Sequence, residues 1–173
     1  ARIPGIDAAS TENAILFDAD CQIPNASALL DWYVEQFQAG AKLAYTHVDY
    51  YGYPELLPVK IRIFIHHFSR WVKRTLLRIP TNRGSNYAVN RTLTLDLYER
   101  GLLADEMNVG PAMKSVGGII KYSGSKDLIV YTSGRYFRPG WRYLFRYFFH
   151  RIRYNIRVLP VRDNVAQYTD PKW

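Results

Sequence analysis

The sequence predicts an α/β domain with a mixed sheet flanked by helices. Three observations carry that expectation. Short apolar runs such as Ala14-Ile15-Leu16-Phe17 alternate with longer segments whose apolar residues recur at helical spacing. Glycines stand where the helical segments stop, at Gly40, Gly101 and Gly117-Gly118. The first apolar run ends in Asp18-Ala19-Asp20. Two carboxylates one residue apart at a strand end suit a hard divalent cation, and strand ends are where open α/β sheets bind ligands.

The elements follow in order. Residues 14–17 read as a buried strand closed by the acidic turn. Pro24-Asn25 opens a helix with Leu29, Leu30, Tyr33, Val34 and Phe37 on its inner side and Gly40 at its end. Lys42 to Val48 reads as a second strand. Residues 58–78 read as a helix, because Phe64, Phe68, Trp71, Val72 and Thr75 recur at its period. A Gly/Ser/Asn loop from Arg83 leads into a short strand ending near Val89. Arg91 to Arg100 forms a helix that Gly101 stops. After Asp105-Glu106, the spacing of Val109, Ala112, Met113 and Val116 predicts another helix, with Pro111 in its first turn. Ile119 to Tyr122 and Leu128 to Thr132 read as short strands. A last amphipathic helix is expected from about Gly140 to Arg157.

Composition narrows the function. The 173 residues suffice for one domain with a real core, and 48% apolar against 22% charged residues is ordinary for a globular protein. The net charge of +8 favours an anionic partner. Seven Lys/Arg and no acid lie between Lys60 and Arg83, and eight Arg and no acid between Arg135 and Arg162, so the positive charge is concentrated in two segments. The single cysteine, Cys21, excludes an internal disulfide and favours a reducing compartment. No signal peptide and no apolar run long enough to span a bilayer is present, so a cytoplasmic location is expected. The chain opens Ala1-Arg2-Ile3-Pro4-Gly5, without an initiator methionine, and enters what reads as a sheet interior almost at once. It is therefore read as a fragment, or as one domain of a longer protein.

Four features have the makings of a site. Asp18 and Asp20 offer a cation two carboxylates. Asp105-Glu106 is a second acidic pair, either a helix-dipole partner or the source of a general base for an acceptor hydroxyl. The small residues of Arg83-Gly84-Ser85-Asn86 permit close backbone approach to a ligand. In Thr132-Ser133-Gly134-Arg135 a strand ends in a loop with an arginine, which can stabilise a departing diphosphate. His66-His67 is read as structural, because adjacent helical residues point to different sides. Cys21 is read as packing.

In order and spacing these features resemble the family-2 glycosyltransferases, which have the GT-A fold. That family has an apolar strand ending in Asp-x-Asp. A Gly-x-Asn-like segment followed by Arg comes later, here Gly84 to Arg91. Then come an acidic pair opening a helix, a Gly-Gly-type turn, and a strand ending in Thr-Ser-Gly-Arg, here Thr132 to Arg135. Ala1-Arg2 and Gly5 to Ala9 are similar to the helix that precedes its Asp-x-Asp strand. The resemblance covers nearly everything to about residue 140, and it implies a GT-A-like, Rossmann-like sheet without the family's first βαβ unit. Residues 1–139 would then be a partial catalytic domain and residues 140–173 a basic amphipathic helix and tail. Activity is expected of the longer protein rather than of this portion alone.

The resemblance further implies a nucleotide-diphospho-sugar donor, a Mn²⁺ or Mg²⁺ ion, and an inverting transfer to an acceptor hydroxyl on a glycan or a lipid-linked acceptor. Asp20 would be a cation ligand, and Asp18 would face the ribose or support the ion. Gly84, Ser85 and Asn86 would lie by the donor sugar or acceptor, and Arg135 by the diphosphate. The pair reads Asp-Glu where the family usually has Glu-Asp. The second position normally supplies the base, so Glu106 is favoured over Asp105. The Gln-x-x-Arg-Trp segment of processive relatives is missing, which points to transfer of a single sugar.

In the last helix Trp141, Phe145, Phe148 and Ile152 form a stripe, with Arg142, Arg146, Arg153 and Arg157 one position later. Such a helix either lies in a membrane interface, against anionic lipid, or packs its stripe on the core. The helix at 58–78, with Arg70, Lys73 and Arg74, admits the same two readings. The first places the protein peripherally at the inner face of the membrane. Two alternatives stand beside the transferase. Ile15 to Asp20 resembles the nucleophile strand of haloacid-dehalogenase phosphatases, although Gln22 stands where that family has Thr or Val. The arginine-rich segments alone suit a basic nucleic-acid-binding module, but no recognised nucleic-acid motif is present, so no such partner is expected.

Overall fold

The computed structural model describes residues 2–103 and 108–158. Asp105 and Glu106 lie outside the described residues, as does the tail after Val158. The described chain is α/β with a mixed sheet flanked by helices. Its elements are α1 (Ile3–Ala8), β1 (Asn13–Phe17), α2 (Ala26–Gln38), β2 (Leu43–Thr46), β3 (Val48–Tyr51), α3 (Leu57–Thr75), β4 (Asn86–Asn90), α4 (Arg91–Glu99), α5 (Val109–Ser115), β5 (Ile120–Ser123), β6 (Val130–Ser133) and α6 (Trp141–Val158).

Four strands form the main sheet in the order β1-β4-β2-β5. β4 runs antiparallel to both neighbours, with Phe17 opposite Asn86 and Leu43 opposite Val89, while β2 and β5 are parallel. Alternation along the strands divides the core. Leu43, Tyr45, Tyr87 and Val89 face one side, where Ile6 of α1, Leu97 of α4 and Val109, Ala112 and Met113 of α5 cover them. Ala44 and Ala88 face the other, under Leu29 and Tyr33 of α2. The small alanines let the helix approach closely.

The segment expected as one strand from Lys42 to Val48 is broken at His47. Its second half, β3, pairs in parallel with β6 as a separate two-stranded sheet. The partner chain breaks at the same level, through a 3-10 turn at Lys126–Leu128. His47 bridges both breaks: its N–H donates to Ser123 O (3.0 Å) and its carbonyl accepts from Val130 N–H (3.1 Å). Thr46 Oγ1 donates to Leu128 O at 2.7 Å and so satisfies the turn. The apolar run 14–17, expected in a sheet interior, lies at the edge of the main sheet, where Ile15 is exposed.

Local signals fix the helix ends. The side chain of Asn25 caps α2 and that of Asn90 caps α4, accepting from Ala28 N–H and Leu93 N–H (both 3.1 Å). Gly40, Gly101 and Gly117 take positive φ at helix ends. Pro111 falls in the first turn of α5, where its missing N–H costs nothing.

Helix periodicity holds; on α2 the facing differs from expectation, and on α3 and α6 the aromatic stripes point away from the core. On α2 the row Leu29, Tyr33, Phe37 meets the sheet, and Leu30 and Val34 are exposed. On α3 the inward positions are Val59, Ile63 and Arg70, while Phe64, Phe68 and Trp71 point outward. On α6 Leu144 is buried, and Trp141, Phe145, Phe148 and Ile152 are exposed, so this stripe does not pack on the core. The α3–α6 contact is made instead by polar and aromatic groups. His66 Nδ1 lies 2.9 Å from Tyr147 Oη, and the Arg62 guanidinium sits 4.6 Å from the Tyr147 ring centre.

Asn86 is fully buried and joins the two layers. Tyr33 Oη donates to its Oδ1, and its Nδ2 donates to Thr46 Oγ1 at 2.6 Å. Burial holds the Tyr33 phenol above its ordinary pKa, so it stays protonated as a donor. Replacing it, Tyr33→Phe, leaves the carboxamide oxygen of Asn86 short of a donor in a dry core. A stability loss of about 1–3 kcal/mol is expected in urea unfolding. An unchanged midpoint would show that the bond contributes nothing.

Candidate functional site

The turn after β1 carries the twin aspartates, and three other parts of the chain hold it. Within the turn, Cys21 N–H donates to Asp18 O at 3.0 Å. Past the turn, Gln22 and Tyr131 exchange backbone hydrogen bonds of 2.8 and 2.9 Å, which sets Asp20 beside β6. The Arg2 guanidinium, from the segment before α1, pairs with Asp18 Oδ1 and donates to Gly84 O. Cys21 Sγ donates to Ser85 O at 3.1 Å. The turn and the 83–86 loop are thus tied twice, by residues some sixty to eighty positions apart.

Asp20 faces the loop after β6. Thr132 Oγ1 donates to its Oδ1 at 3.4 Å, and Arg135 Nη2 lies 3.7 Å from Oδ2. Tyr51 Oη donates to Asp20 O at 3.0 Å. Gly134 lets that loop come so close. Its N–H donates to Tyr51 O at 2.6 Å, and a Cβ there would meet Tyr53 Cβ at 2.7 Å. The Arg135 side chain is exposed and donates to Tyr136 Oη at 2.9 Å, so its pairing with Asp20 is loose.

Six of the residues singled out in the sequence therefore converge: Asp18, Asp20, Gly84, Ser85, Asn86 and Arg135. They do so at the end of β1 and the start of β4. Within this group Asn86 has its carboxamide committed inward, to Tyr33 and Thr46, and holds the loop in place from below. Arg2 and Tyr51 carried no motif of their own in the sequence. A lone arginine on the approach to a strand and one tyrosine among fourteen are recognisable only once the fold brings them to the turn.

One atom each of Asp18, Asp20 and Cys21 lies within 4.8 Å of the others. The two carboxylates fit a hard cation such as Mg²⁺ or Mn²⁺, which uses one or two protein carboxylates and takes its other ligands from phosphates and water. Asp18 is engaged by Arg2, which leaves Asp20 the freer ligand. Cys21 fits poorly. Burial, and then the charges of Asp18 and Asp20, raise its pKa, and a protonated thiol is neither a hard ligand nor a nucleophile.

His66 and His67 do turn to different partners. His66 meets Tyr147, and His67 Nε2 lies 3.3 Å from Asp49 Oδ1. No described helix is long and apolar enough to cross a membrane. No protein-family model matches the chain, and no curated protein matches it.

Because Cys21 is the one cysteine, alkylation reads its state directly. A thiol with a raised pKa is protonated at neutral pH. Iodoacetamide should therefore modify Cys21 severalfold more slowly than a free cysteine peptide at pH 7.5, with the rate climbing through a higher pH range than the peptide's. A rate at or above the peptide's would show an activated thiolate instead.

Proposed function

We propose that this chain holds the C-terminal portion of a GT-A-type glycosyltransferase catalytic domain, which takes a sugar from a nucleotide-diphospho-sugar to an acceptor hydroxyl. One observation carries the reading. Asp18, Asp20, the Gly84-Ser85 loop and Arg135, far apart in sequence, meet around one turn at a strand end. A lone acidic turn would not need an arginine from the loop after β6 and a small-residue loop beside it.

On this reading Asp20 holds a Mn²⁺ or Mg²⁺ ion, and Asp18, oriented by Arg2, supports that ion or meets the ribose. The cation supplies charge neutralisation for the leaving nucleoside diphosphate. Arg135, exposed and loosely held beside Asp20, would swing onto the same diphosphate as the bond to the sugar breaks. Gly84 and Ser85 present backbone to the sugar. The acceptor oxygen attacks the anomeric carbon from the face opposite the leaving group, which inverts the configuration. Glu106, or failing it Asp105, takes the hydroxyl proton.

The acceptor is read as a glycan or lipid-linked hydroxyl at a membrane. Support comes from the outward aromatic stripes of α3 and α6, which are bordered by Arg142 and Arg146 and carry no acid on α6. The protein would sit peripherally on the inner face, with the aspartate turn near the headgroups.

In the longer protein, Asp20→Ala should abolish Mn²⁺-dependent binding of the nucleoside diphosphate, and Glu106→Gln should keep that binding while losing transfer. Unchanged binding in Asp20→Ala would remove Asp20 from the metal site. Loss of transfer in Asp105→Asn, with Glu106→Gln still active, would reassign the base.

Sedimentation with anionic vesicles tests the surface separately. Phe145→Ser with Arg142→Gln and Arg146→Gln should leave most of the protein in the supernatant. Equal pelleting of this variant and the parent would exclude α6 from membrane attachment.

A further inference from the structure

Apart from the aspartate turn, a cavity of about 310 Å³ opens beside α3. Arg70, Arg74, His47 and His67 form its polar side, and Phe68 and Trp71 its apolar side. We propose that this cavity is a binding site for a phosphate group, held by Arg70 and Arg74. It does not depend on the glycosyl-transfer reading.

The case begins with a buried charge that has no counter-charge. Arg70 is 6% exposed. Its Nη2 donates to Thr81 O at 2.5 Å, and its Nη1 has no hydrogen-bond partner among the described residues. A guanidinium stays protonated in proteins, so the cost of burying it has to be met by an anion or by several acceptors. The described residues supply one carbonyl.

The surroundings deepen the deficit. Arg83 adds a second positive charge close to Arg70, and its own Nη1 is also buried without a partner among the described residues. Arg74 lies on the same wall, its guanidinium 3.7 Å from the Tyr122 ring centre. Among the described residues no carboxylate pairs with Arg70, Arg74 or Arg83. The acid that reaches this region, Asp49, is taken by His67. Tyr45, Tyr50 and Tyr122 favour the Arg70 charge without cancelling the effect of burial. His47 records the resulting field: burial, then His67, Arg70 and Arg74, push its pKa down to about 4. A site with two arginines on one wall and a neutral imidazole beside them is short of negative charge. Phosphate supplies several acceptor oxygens in a geometry that guanidinium groups match.

The apolar wall bears on the source of the phosphate. Phe64, Phe68 and Trp71 are exposed and stack along the helix, with ring centres 6.1 and 6.0 Å apart. A phosphate carrying acyl chains could lay them on these rings, whereas a small soluble phosphate would use the arginines alone.

Calorimetric titration with inorganic phosphate in chloride buffer, then with short-chain phosphatidic acid below its aggregation limit, tests the site. Saturable phosphate binding is expected, weakened at least about tenfold by Arg74→Gln. Arg70→Lys, which keeps the charge but loses the fork, should weaken it similarly while circular dichroism reports an intact fold. Phosphatidic acid binding tighter than phosphate, with the gain lost in Trp71→Ser, assigns a lipid headgroup. Equal affinities assign a soluble phosphate. The proposal fails if the parent protein shows no saturable phosphate binding, or if Arg74→Gln binds as tightly as the parent. It fails equally if Arg135→Gln, and not Arg74→Gln, removes the binding, which would place the anion at the aspartate turn.

Discussion

The hydrogen-bonded chain from Tyr33 through Asn86 and Thr46 to Leu128 is the constraint on which the rest depends. It crosses the sheet from α2 to the 3-10 turn between β5 and β6. Each member is buried, so each bond must be made or a polar atom is stranded in the core. Its geometry fixes two things at once. It pins the first residue of β4, and with it the 83–85 loop that meets the aspartate turn. It also holds the level at which β2 gives way to β3 and β5 to β6. Thr132 and Arg135 reach Asp20 because β6 starts from that level.

Above this frame the molecule handles its charges in two ways. At the turn, both aspartates have partners that a ligand can displace or share: Arg2 on Asp18, and Thr132 and Arg135 on Asp20. Their mutual repulsion is offset without being removed, so the site is assembled and still able to take a cation. Along α3 the opposite holds. Arg70 lies inward, and both it and Arg83, from the loop before β4, have a buried donor that the described residues leave unmatched. Burying a cation against other cations does not stabilise a fold, and this is the imbalance that the proposed phosphate site would relieve at Arg70.

Much of the fold was legible in the sequence, because the elements rest on local signals. Asn25 and Asn90 cap their helices, Gly40 and Gly101 stop them, and Pro111 sits where a helix tolerates it. The break at His47 was not legible. Lys42 to Val48 carries no turn residue and reads as one strand, and the break comes from the paired segment, whose 3-10 turn draws Thr46 and His47 out of line. The aspartate turn, the small-residue loop and Arg135 were visible as motifs, because chemistry restricts their composition. Arg2 carries no signal beyond its place before a helix, and Tyr51 carries none. Each acts through a position that the fold creates, and nothing in the neighbouring sequence marks it.

The facing of α3 and α6 is what pattern reading left open. Hydrophobic period fixes that a segment is helical and how wide its apolar stripe is, but it does not say which side meets the protein. Burying a Phe or Trp contributes about 1.5–3 kcal/mol, so a helix with free choice would turn Phe64, Phe68 and Trp71 inward. α3 instead presents Val59, Ile63 and Arg70 to the body, and α6 presents Leu144. The two helices meet through His66, Tyr147 and Arg62. Two adjacent helices that share this inversion do not reflect one misplaced side chain. In water the arrangement forgoes several such burials. On the membrane reading proposed above, the acyl region of a bilayer would recover them, with the arginines beside the stripes at the level of the phosphates. The exposed stripes and the unmatched Arg70 would then share one cause, a partner outside the chain.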